Sequence, residues 1–125
     1  QGYSSAASDV YKRQSFQLSK ECALAKRYID SNYSQNITLD SLAEITHINK
    51  FYLAHSFTEC VGQSPINYLT DRRLEACKEL LVSSNLSVAQ VATSVGFSSQ
   101  SYFSQIFRKK TGMTPRQYRS RYARK

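Results

Sequence analysis

Two short runs of side chains are suited to hydrogen-bonding edges and negative charge. The first is Asn49, Lys50, Phe51, Ala54 and His55. The second is Ser99, Gln100, Ser101, Ser104 and Gln105, followed by Arg108 and Lys109. A glutamine side chain bonds adenine N6 and N7 bidentately, an alanine or phenylalanine touches a thymine methyl group, and arginine or lysine meets phosphate oxygens. This chemistry requires only that the side chains be held together on one exposed face. Gln, Ser and Asn on a helix surface are usually just solvated, so these sets acquire meaning only from the elements that carry them.

Other chemistries find less support. The three cysteines, Cys22, Cys60 and Cys77, are odd in number and have no His or Cys neighbour at ligand spacing. A zinc site or a redox switch is therefore a weaker reading than small apolar side chains on helix faces in a reducing cytoplasm. No nucleophile–base pair, catalytic constellation or cofactor-binding pattern is found, so an enzyme is not expected, and neither is a cofactor or a metal.

The elements that must position the two runs occur twice. Ile37-Thr38-Leu39-Asp40-Ser41-Leu42-Ala43, Tyr52-Leu53, Phe57, Gly62, Pro65 and Tyr68 recur as Leu86-Ser87-Val88-Ala89-Gln90-Val91-Ala92, Tyr102-Phe103, Phe107, Gly112, Pro115 and Tyr118. The early residues match at an offset of 49 and the later ones at 50. One residue has been inserted between the apolar stretches of the second copy, where a turn should lie. Val88, Val91, Ala92 and Val95 follow helical i, i+3, i+4, i+7 spacing, and Leu39, Leu42 and Ala43 begin the same stripe. Thr38 and Ser87 stand where helix N-caps belong. Second stripes follow at Leu53, Ser56 and Phe57, and at Tyr102, Phe103, Ile106 and Phe107. Gly96 separates the stripes of the second copy, whereas Thr46-His47-Ile48 has no glycine, so that turn is inferred from its partner. Two short helices joined by a tight turn, twice over, predict a pair of helix-turn-helix units. The N-terminal half of each second helix would enter the major groove of DNA. That half carries the two runs above. Of the adjacent Phe51 and Tyr52, Tyr52, repeated at Tyr102, is expected in the core.

The spacing predicts an all-α chain: seven helices forming two helix-turn-helix subdomains joined by a long connecting helix. Residues 1–15 are expected to be a disordered or artefactual leader, because Gln1 to Ser8 is small, polar and aperiodic. Asp9-Val10-Tyr11-Lys12-Arg13-Gln14 also resembles the translation of a transposon adapter. Residues 16–63 form the first subdomain, opening with a helix that carries Leu18, Cys22, Ala25 and Ile29 on one face. Residues 64–84 form the connecting helix, begun by Ser64-Pro65 and buried along Ile66, Leu69, Leu74, Cys77 and Leu81. Residues 85–125 form the second subdomain with a basic tail, and its last short helix starts at Thr114-Pro115.

The net charge of +8 is unevenly placed. Residues 1–79 hold nine basic and nine acidic residues, while residues 80–125 hold eight basic residues and no acidic one. Arg108, Lys109 and Lys110 close the second predicted reading helix, which favours phosphate contact over mere solvation. Arg72, Lys78, Arg116, Arg119, Arg121, Arg124 and Lys125 are open to either role. No apolar run is long enough to cross a membrane, and no signal peptide opens the chain.

From about Ser19 to Tyr122 the chain resembles the DNA-binding domain of the AraC/XylS family of bacterial transcription regulators. The match rests on Ile37-Thr38-Leu39, Leu42-Ala43, Tyr52-Leu53 with Phe57, and Arg73-Leu74 with Ala76, Leu80 and Leu81. The second copy adds Val91-Ala92, Val95-Gly96-Phe97, Ser101-Tyr102-Phe103, Phe107-Arg108-Lys109, and Thr111 to Pro115 with Tyr118-Arg119. The resemblance implies double-stranded DNA as partner, with base contacts at Phe51, Ala54 and His55 and at Gln100, Ser101 and Gln105. One monomer would read two major-groove segments about 34 Å apart, one turn of the duplex. It also implies a structural role for Arg73, activation through RNA polymerase, a cytoplasmic location, and an upstream sensing domain cut away from this chain. Two departures stand out. Many relatives carry arginine where His55 and Gln105 stand, and are often basic where Glu59 stands, so a guanine preference is not expected. Two further readings compete: a helical protein-interaction module that has lost specific DNA contact, and a piece of an alkylation-repair enzyme, for which an activated cysteine is missing.

Overall fold

The computed structural model describes residues 20–123, and all of their regular structure is helical. The helices are α1 (residues 20–32), α2 (Leu39–Thr46), α3 (Lys50–Val61), α4 (Pro65–Ser83), α5 (Val88–Ser94), α6 (Gln100–Thr111) and α7 (Pro115–Tyr122). The expected leader, Leu18, Arg124 and Lys125 lie outside the described residues. Two compact units emerge. One comprises residues 20–31 and 37–68, and the other residues 32–36 and 69–123, so α4 begins in the first and continues in the second.

In the first unit the core is apolar and drawn from every helix. Cys22, Ala25 and Ile29 line the buried face of α1, and Leu42, Leu53 and Phe57 are fully buried on α2 and α3. Thr38 caps α2 by accepting from Ser41 N–H, while Ser41 Oγ accepts from Thr38 N–H, closing a capping box. His47 ends α2 in the left-handed region at φ 59°, doing without glycine what Gly96 does in the second unit at φ 103°. Asn49 caps α3, and Gly62 at φ 93° ends it. Tyr68 packs edge-on against Phe57, 5.7 Å between ring centres, and its hydroxyl donates to Asp30 Oδ1 at 2.6 Å.

The second unit repeats these devices around a larger core, formed by Leu74, Cys77, Leu81, Val88, Val91, Ala92, Val95, Phe97, Phe103 and Phe107. Ser87 and Gln90 form the capping box of α5, and Thr114 and Gln117 that of α7, where Pro115 occupies the first turn. Tyr118 meets Phe107 edge-on at 5.5 Å, the counterpart of Tyr68 on Phe57. Arg73 Nε donates to Tyr33 O at 2.7 Å and its Nη2 to Gln35 O at 2.8 Å. These contacts give Arg73 a structural role, fastening the segment after α1 to α4. Burial lowers the pKa of this guanidinium. Arg119 Nε does similar work on α7, donating to Leu81 O at 2.9 Å. The helix-joining segment is three residues long in the first unit (47–49) and five in the second (95–99). The second is longer because of the inserted residue and because α5 stops one residue earlier than its counterpart.

Three burial expectations fail. Tyr52 and Tyr102 are not core residues: they are 68% and 51% exposed. The buried positions are Leu53 and Phe103, which share a face with Phe57 and Phe107 four residues on, while each tyrosine stands about 100° away around the helix. Ile66 is exposed for the same reason, because the buried residues at this end of α4 are Pro65 and Leu69. All three cysteines lie on helices, Cys22 and Cys77 buried and Cys60 exposed. In its apolar surroundings the Cys77 thiol is pushed up to about 12.

Candidate nucleic-acid interface

The capping and stripe geometry fixes what α3 and α6 present to solvent. On α3 the buried stripe of Leu53, Ser56 and Phe57 leaves Phe51, Tyr52 and His55 exposed, with Lys50 and Ala54 half-buried beside them. Phe51 is 71% exposed, and Lys50 Nζ lies 5.5 Å from its ring centre while pairing with Asp40 at 3.2 Å. His55 Nε2 lies 3.1 Å from Glu59 Oε1, one turn on. Asn49 is exposed, but its Oδ1 accepts from Phe51 N–H at 2.8 Å and so is engaged in capping.

On α6 the buried Phe103 and Phe107 turn Gln100, Ser101 and Gln105 outward, with Ser104 half-buried. Ser99 is exposed, and its Oγ caps the helix by accepting from Tyr102 N–H at 3.0 Å. Gly112 closes the helix at φ 81°. Arg108, Lys109 and Lys110 occupy its last turn, where the helix dipole also favours cations. Lys110 is held by Asp71 at 3.4 Å, whereas no ion pair of Arg108 or Lys109 occurs among the described residues. The other basic candidates are mostly occupied. Lys78 pairs with Glu75 at 3.1 Å, Arg72 covers the Tyr33 ring at 5.5 Å, and Arg121 covers that of Tyr122 at 5.6 Å. Arg116 is exposed.

All twelve candidate residues therefore reach the surface on the N-cap, the outward face or the last turn of α3 or α6. Sequence reasoning missed Tyr52 and Tyr102, which extend the same faces. Their exposure was signalled by strict i, i+4 spacing from Leu53 to Phe57 and from Phe103 to Phe107. Among the described residues no group of three or more His, Cys, Asp or Glu is placed to hold a metal ion, and no helix is long and apolar enough to cross a membrane.

A helix-turn-helix domain family matches residues 42–121, covering α3 and α6 and the helices that precede each. The chain belongs to the AraC/XylS family of DNA-binding domains. Among its relatives is the bifunctional transcriptional activator/DNA repair enzyme AdaA of Bacillus subtilis, 34% identical over 96 residues, which are 77% of this chain and 46% of that protein. This chain thus spans less than half of that relative's length. The AraC/XylS fold is equally clear in solved structures. The C-terminal domain of AraT, a response regulator from Geobacillus stearothermophilus, superposes with a TM-score of 0.81 at 36% identity, covering 84% of this chain and 88% of that one. The DNA-binding domain of the global transcriptional factor AdpA, solved in complex with a target DNA, gives a TM-score of 0.72 at 26% identity, covering 84% and 91%.

Proposed function

We propose that α3 and α6 are the reading helices of a bacterial transcription regulator, each entering the major groove of double-stranded DNA, and that the second unit supplies most of the electrostatic grip. The observation that carries this division is the contrast between the two helices. The last turn of α6 exposes Arg108 and Lys109, which have no ion-pair partner among the described residues, whereas Lys50 and His55 on α3 face Asp40 and Glu59. Base readout on α6 falls to Gln100, Ser101, Ser104 and Gln105, with Gln suited to adenine. On α3 it falls to Phe51, Ala54 and His55, with Phe51 and Ala54 suited to a thymine methyl group. Asn49 and Ser99 act mainly as caps and Lys50 as a flank. The reading extends to a cytoplasmic location, to RNA polymerase as a second partner, and to a sensing domain elsewhere in the whole regulator. Its mode of binding requires no catalytic group and no cofactor.

Fluorescence anisotropy with duplex DNA over a salt series tests this directly. Each lost phosphate contact flattens the slope of log K against log salt by about 0.9. The Arg108→Ala/Lys109→Ala variant should therefore lose about 1.8 of that slope if both side chains touch phosphate. Absence of binding even at low salt would overturn the proposal in favour of a protein-interaction module.

A further inference from the structure

The first unit contains a pair of thiols that DNA reading does not use. Cys22 lies on α1 and is 2% exposed, and its Sγ sits 3.2 Å from Ser56 Oγ on α3. Ser56 and Cys60 are four residues apart on α3, hence neighbours on one helix face. Cys60, one turn beyond Ser56, shares a side-chain hydrogen bond with Cys22. The two sulfurs belong to different helices, are 38 residues apart in sequence, and both neighbour Ser56. Cys60 is open to solvent and Cys22 is not.

From this arrangement we infer that Cys22 and Cys60 form a reversible disulfide under peroxide, a redox modification site that links α1 to α3. Exposure makes Cys60 the first sulfur to react. Hydrogen peroxide converts its thiol to a sulfenic acid as the O–O bond breaks and one water leaves. The Cys22 sulfur then attacks the Cys60 sulfur. The sulfur–sulfur bond forms as the sulfenic C–S–OH bond to oxygen breaks, and the hydroxyl departs as a second water with the Cys22 proton. Two electrons pass from the thiol pair to the peroxide. Burial pushes the Cys22 thiol up, an effect its hydrogen bond to Ser56 opposes. Cys22 is therefore the slower of the two to meet peroxide itself, and it gives up its proton as it attacks the sulfenic acid on Cys60. Cys77 belongs to the other unit and is fully buried, so it serves as an internal control.

The test uses the reduced chain, a few-fold molar excess of hydrogen peroxide, an iodoacetamide quench and non-reducing peptide mapping by mass spectrometry. The expected result is a linked Cys22–Cys60 peptide lighter by two hydrogen atoms, an unmodified Cys77, and full reversal by dithiothreitol. The Cys22→Ser variant should instead carry Cys60 onward to sulfinic acid. The exposed Cys60→Ser variant, which leaves the core intact, should leave Cys22 unoxidised at the same dose. Sulfinic acid at Cys60 of the wild-type chain with Cys22 still alkylatable, or disulfide-linked dimers through Cys60, would overturn the inference. The readout is independent of DNA, so its failure is distinct from failure of DNA binding in the reduced protein.

Discussion

At Gly96 the backbone stands at φ 103°, and a Cβ built there would lie 2.9 Å from Tyr33 O and 3.0 Å from Arg73 Nε. Gly112 also has positive φ, 81°, yet nothing lies within 4 Å of its missing Cβ. The two glycines separate the backbone cost of an L side chain from the cost of a clash. Gly112→Ala should lose only the ~1–2 kcal/mol of a left-handed alanine. Gly96→Ala should lose clearly more, because a main-chain oxygen cannot swing aside as a side-chain tip can. Urea denaturation of both variants measures the difference, and equal losses would mean that the Tyr33 segment yields freely. The residue scale is also where sequence reasoning went astray. Tyr52, Tyr102 and Ile66 are apolar or weakly polar side chains on helices, and composition alone sends them inward. For the tyrosines the i, i+4 spacing of the neighbouring buried residues was the signal passed over, whereas coverage at Ile66 depends on what the neighbouring helices reach.

Helix ends were far more legible. Thr38, Ser87 and Thr114 each cap the helix whose apolar stripe they precede, and each closes a capping box with the residue three positions on. Such caps are readable because all partners lie within one turn. The same locality makes Asn49 and Ser99 ambiguous in sequence: they sit at the start of reading helices, yet their side-chain oxygens serve the helix backbone. The tie between the segment after α1 and α4 is non-local, and only the resemblance of Arg73 to family members pointed to it. Its guanidinium spans two carbonyls with one rigid fork, from Nε and Nη2. A lysine has a single ammonium and cannot hold both at once. Arg73→Lys should therefore destabilise the second unit by ~1–3 kcal/mol through the carbonyl left unpaired. The thermal midpoint reports this loss, and an unchanged midpoint would show that water replaces the lost bond at no cost.

Across the whole molecule, duplication preserved the skeleton and let the surfaces diverge. Phe57 with Tyr68 and Phe107 with Tyr118 keep the same edge-on packing at 5.7 and 5.5 Å, while the position held by Glu59 in one copy is held by Lys109 in the other. The internal repeat made the all-α plan visible from sequence, because a pattern seen twice discounts accident. What the repeat could not reveal was which charges remain available after folding. Rapid-mixing association with duplex DNA should depend steeply on salt in the wild type and less so in Arg108→Ala/Lys109→Ala. Lys50→Ala, whose charge already answers Asp40 at 3.2 Å, should change little. Equal effects from both variants would contradict the assignment of grip to the second unit. The uneven charge has a consequence before any contact forms. Positive charge gathered on the second unit is drawn by the field of a polyanion more strongly than the near-neutral first unit is. Encounters are therefore weighted toward those that bring the second unit, and α6 with it, to the duplex first.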